Sequence, residues 1–169
     1  VIAVIICIGG DILAGKLWHN YNFIYQSKSE LSAIGSPVRH VILPFDTIYY
    51  VLMLAFGLGI WRLAGGIFVK ITAGLLIGHA AINLVWMFFP KHLDQTQKSF
   101  ANSMNAIFGA ISLFLFLFAI FFGTVAYKNW FRFYSIGTLL VFILLTIYGW
   151  QPGNAWFDRT SQLKSVHIG

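Results

Sequence analysis

A few polar side chains carry whatever chemistry this sequence can perform. Asp11, His79 and Asn83 lie inside apolar runs, whereas Glu30, Arg39, His92, Asp158 and Arg159 lie in or beside the polar segments that separate and follow those runs. His79 and Asn83 are four residues apart, so in a helix they share a face, and that face must meet protein because lipid satisfies neither side chain. An ionised Asp11 at membrane depth costs several kcal/mol, so it must be paired, hydrated or protonated; Lys16, His79 and Arg159 are its candidate partners.

Four chemistries can be weighed on these residues. A metal centre would need His79, His92, Asp94, Glu30 and Asp158 to converge, yet no HxxxH or HExxH spacing supports one, and we expect no metal and no cofactor. Haem lacks a second histidine at similar depth. A hydrolase would use Ser29 or Ser32 with His92 and an acid, but neither serine sits in a G-x-S-x-G setting and both read as turn and capping residues. Transport is suggested by polar groups at membrane depth, although broken-helix pairs and inverted repeats are missing from the pattern. Hydrogen bonding between helices accounts for His79 and Asn83 at least as well.

The elements that position these groups are membrane helices. The chain is 59% hydrophobic, 9% charged and 18% aromatic, with a mean hydropathy of +0.78, more apolar surface than a water-soluble core of this size could hide. The net charge of +6 would suggest nucleic acid in a soluble protein; here the basic residues edge apolar runs and act as interfacial anchors, so nucleic acid is not an expected partner. Cys7 has no second cysteine to pair with. The apolar periodicity and breaks predict helices near 1–17, 43–63, 66–89, 104–127 and 131–150 within a single transmembrane domain, 1–169, with polar loops at 18–40, 91–103 and 151–169.

Local signals refine this. Ser27 followed by Glu30 has the capping-box spacing, predicting a short helix over 27–35 ended by Gly35 and Pro37. Gly74 and Gly78 form a GxxxG pair that predicts a close helix approach. Pro44 falls in the first turn of the second span, where its missing N–H costs little. Lys and Arg occur at both ends of the spans, so charge alone does not orient the chain.

The run Ser29-Glu30-Leu31-Ser32-Ala33-Ile34-Gly35-Ser36-Pro37-Val38-Arg39 resembles the S-E-L-x-A-x-G-x-P-like motif in the first loop of a bacterial multi-pass membrane family, domain of unknown function 998. Phe89-Pro90-Lys91-His92 is similar to its F-P-x-H after the third helix, and Phe131-Arg132-Phe133-Tyr134-Ser135 to its F-R-x-Y-S opening the fifth. Asp158-Arg159 stands where relatives have a Glu-Arg pair before a sixth helix, and Asn105 stands where they often have a histidine. The resemblance implies a motif loop facing outside and a chain truncated at both ends, and it implies no activity.

These readings together predict an all-α polytopic transmembrane bundle with five helices, located in the cell membrane, the bacterial inner membrane in particular. The leading functional expectation is a lipid- or partner-binding scaffold with a polar outer cap, in contact with membrane lipids and other membrane subunits. An enzyme acting at the outer-loop face on a lipid or small polar substrate is the first alternative, and a transporter component the second. In the cap, Glu30 is expected to meet Arg39, Arg159 or His92.

Overall fold

In the computed structural model, the residues that can be described are 2–19, 21–23, 26–90, 92, 100–126 and 130–149. Among them the chain is all-helical: α1 (Ile2–Leu17), α2 (Lys28–Leu31), α3 (Arg39–Leu63), α4 (Ile67–Trp86), α5 (Phe100–Ala126) and α6 (Trp130–Gly149). Among the described residues, three helices are long and apolar enough to cross a membrane: α3, α4 and the Ser103–Ala126 part of α5. With 16 residues, α1 covers about 24 Å of a hydrocarbon core of roughly 30 Å.

The long helices pack in chain order, α1 on α3, α3 on α4, α4 on α5 and α5 on α6. Backbone proximity is set by two glycines. A Cβ at Gly10 would lie 2.6 Å from the Phe45 side chain, which fixes how closely α1 meets α3, and a Cβ at Gly57 would lie 2.8 Å from Ile77 Cγ1, which does the same for α3 and α4. The expected GxxxG strip is not one contact: Gly74 faces Trp61 of α3 and Gly78 faces Leu115 of α5. The two glycines are 40° apart around α4, which is wedged between two neighbours, so each serves a different interface.

The polar segment after α1 folds back onto the bundle. Leu31 of α2 is 1% exposed and packs with Ala14 of α1, Val38 and Ile42, flanked by Trp18 and Tyr21. Burying that leucine holds the motif segment down by about 1.5–3 kcal/mol of transfer energy. Gly35, at φ 93°, makes the turn that sends the chain through Pro37 into α3.

Three local expectations need correction. The short helix occupies only Lys28–Leu31, and Ser27, although in the N-cap position, makes no capping bond; its hydroxyl faces Ser29 Oγ at 2.9 Å and Glu30 Oε1 at 3.4 Å instead. The second span starts at Arg39 rather than 43, so Pro44 lies in its second turn and leaves the His40 carbonyl without its helical donor. The fourth span begins at Phe100, shortening the 91–103 connection.

Candidate functional site

The polar groups at membrane depth gather toward the end of the bundle that carries the motif segment. Asp11 lies six residues before the end of α1, about 9 Å down the axis, and Asp46 lies seven residues after the start of α3, about 10 Å down. These helix ends adjoin, so the two carboxylates reach the same depth, next to the Gly10–Phe45 contact that brings the backbones together. Lys28, the first residue of α2, reaches between them. Its Nζ is 2.9 Å from Asp11 Oδ1, 3.1 Å from Asp11 Oδ2, 2.9 Å from Asp46 Oδ1 and 3.2 Å from Cys7 Sγ.

Burial would lower the Lys28 pKa, but the Asp46 and Asp11 carboxylates together outweigh it and hold the ammonium well above its ordinary value. The contacts are charge contacts first: Oδ1 of each aspartate is buried and lacks good hydrogen-bond geometry despite its short distance to Nζ. Donor atoms of Cys7, Asp11 and Asp46 all lie within 4.8 Å of one another, a spacing that could suit a cation. The Lys28 ammonium lies among them.

Asp11 therefore has a partner, Lys28, that was not among those expected; neither Lys16 nor His79 meets it, and Arg159 lies outside the described residues. Lys16 is five residues further along α1, about 140° around the helix, and cannot share Asp11's face. His79 belongs to a separate network. Its Nδ1 lies 3.0 Å from the Ser112 carbonyl oxygen, which assigns the proton to Nδ1, and 3.1 Å from Ser112 Oγ. Asn83 Nδ2 donates to Ser112 Oγ and to the His79 carbonyl, both at 2.7 Å. As the i, i+4 spacing required, both residues are buried, and they join α4 to α5.

A cleft of about 160 Å³ opens beside the charged cluster. Lys28, Ser29, Ser32, Asp46, Asn83 and Asn105 give it polar groups, and Leu43, Tyr50, Trp86, Met87 and Pro90 form the rest of its wall. Asn105 donates to the Phe89 carbonyl at 3.3 Å and so ties α5 to the turn after α4. Trp86 Nε1 is buried without a hydrogen-bond partner among the described residues.

The loop-side residues fall around this mouth. His92 forms an isolated parallel bridge with Ile34, which lays the Phe-Pro-x-His segment against the Ser-Glu-Leu segment. Glu30, the third residue of α2, has a carboxylate oxygen 3.4 Å from Ser27 Oγ, and Arg39, at the start of α3, has a buried Nε without a hydrogen bond among the described residues. Asp94, Asp158 and Arg159 lie outside the described residues. Ser29 Oγ faces Ser27 Oγ, and Ser32 Oγ donates to the Ser29 carbonyl at 3.4 Å, the turn roles expected of them. Lys28 and Asp46 were not among the candidates, yet the sequence held a signal: two acids equally far from the ends of consecutive antiparallel spans lie at one depth.

Comparison with known families bears on the same segments. The family model described as "Protein of unknown function (DUF998)" matches residues 1–160. The chain belongs to the DUF998 family. The match takes in every residue that lines the cleft, from Lys28 to Asn105. No curated protein and no solved structure matches.

Proposed function

We propose that this DUF998 protein is a multi-pass bundle of five membrane helices in the cell membrane, with its motif segment outside, and that it holds the polar end of a membrane lipid in the cleft beneath that segment. The supporting observation is the cleft's composition. Amide, hydroxyl and charged groups lie at one helix end, roughly 10 Å from the bundle rim, against an apolar wall of Leu43, Trp86 and Met87. A volume of about 160 Å³ accepts a headgroup and excludes a whole lipid, whose chains would stay outside against the exposed Phe-rich face of α5.

Glu30, Arg39 and His92, together with Asp158 and Arg159, form the polar cap of this reading. The cap closes over the mouth because Leu31 anchors it and Ile34 meets His92. The turn roles of Ser29 and Ser32 weigh against hydrolysis, and the His79–Asn83–Ser112 bonds weigh against those residues lining a transport path.

The experiment is lipid extraction from protein purified in mild detergent, compared with Met87→Trp, which fills the cleft with a larger apolar side chain. Wild-type protein retains lipid of one headgroup class and the folded variant retains little. Equal lipid content and composition in the two would refute the reading.

A further inference from the structure

The charge of the cleft selects its ligand. The Lys28 ammonium lies within 3.2 Å of Asp11, Asp46 and Cys7, so the cationic group in the wall is already engaged by the protein's own groups. Two carboxylates and one ammonium leave one negative charge in excess at membrane depth. Asp46 is 8% exposed, and an uncompensated charge so placed is costly; it calls for a second positive charge. Trp86 and Tyr50, whose aromatic rings attract a cation, line the same cleft.

We infer that the cleft binds a primary ammonium group against Asp46, beside the rings of Trp86 and Tyr50, as in an ethanolamine headgroup or a free amino alcohol. This rests on the headgroup reading above and adds the charge of the ligand to it. The cavity's size agrees: about 160 Å³ is on the order of five waters' share of liquid volume, enough for a two-carbon amine and its neighbouring oxygen. The ligand supplies what the protein lacks there, one positive charge. An anionic head would add a second unmatched negative charge.

The test is native mass spectrometry of the detergent-solubilised protein titrated with phosphatidylethanolamine and phosphatidylglycerol of matched chains. Phosphatidylethanolamine should bind about tenfold more tightly. Asp46→Asn should abolish that preference, and Trp86→Leu, which removes the ring, should reduce it. Free ethanolamine displacing the lipid would assign a soluble amine to the site, and failure to displace it would assign the lipid; both keep the ammonium. Equal affinity for the two lipids, or a preference that survives Asp46→Asn, overturns the inference while leaving the cleft reading standing. No lipid bound in the wild type overturns both. A protonated-carboxyl infrared band at pH 7 that vanishes in Asp46→Asn would show that a proton supplies the missing charge, and would also overturn it.

Discussion

Replacing Lys28 by methionine removes the cation between two carboxylates while keeping a chain of similar reach. The carboxylate oxygens of Asp11 and Asp46 are then left no more than 4.8 Å apart. At an effective dielectric of about 20, two unit charges at that distance repel by about 3.5 kcal/mol. Solvent screens part of this, since the Asp11 and Lys28 side chains are 28% and 41% exposed, so the expected loss is about 2 kcal/mol, between the values for exposed and buried pairs. Asp46→Asn alone leaves an Asp11–Lys28 pair and should cost less than about 1 kcal/mol. The double variant, having lost the repulsion, should regain at least about 1 kcal/mol over Lys28→Met. Reversible unfolding in mixed micelles measures all three.

The pH dependence follows from the sign of the Lys28 shift. Its folded pKa is raised, so its contribution is fully present below the unfolded value of about 10.4 and is lost only as pH climbs through the higher folded value. The gap between wild type and Lys28→Met should therefore stay level from about pH 7 to about pH 9. Additive single-variant effects, or a Lys28→Met cost no larger than that of an exposed lysine, would refute the triad as an energetic unit.

Gly57→Ala should destabilise by about 1–3 kcal/mol, because its Cβ would meet Ile77 Cγ1 at 2.8 Å and the Ile77 backbone nitrogen at 3.3 Å, whereas Gly59→Ala, with open space around it, should be tolerated in the same unfolding assay. Leu31→Ala should cost about 2–5 kcal/mol of the motif segment's anchoring and expose the 28–38 region to limited proteolysis before the helices unfold. Ser112→Ala removes the shared acceptor of Asn83 and should cost about 0.6–1.7 kcal/mol by the same unfolding measurement. Ser36→Cys in a Cys7→Ala background should react with an impermeant thiol reagent on intact cells; labelling only after lysis would reverse the orientation.

The helices were legible from composition because lipid leaves a long apolar run no other way to satisfy its backbone. The same reasoning required that Asp11 have a partner and that His79 and Asn83 face protein, since each needs only local knowledge: a charge in an apolar run, or two polar groups on one helical face. Which partner each found depended on distance in space. Ser112 meets Asn83 because α5 packs on α4 in one rotation, and no spacing within either helix encodes that angle. Gly57 is the close-contact glycine between α3 and α4, rather than the GxxxG pair, because Gly74 and Gly78 are shared between two neighbours. Lys28 is 17 residues from Asp11 and joins it only because Leu31 plugs between α1 and α3 and draws the start of α2 inward. Sequence thus determined what must be satisfied, since burial cost is a property of each residue and its run. Only the tertiary structure decided by what, because partners are chosen by how helices rotate and loops return, and those depend on packing across the whole bundle.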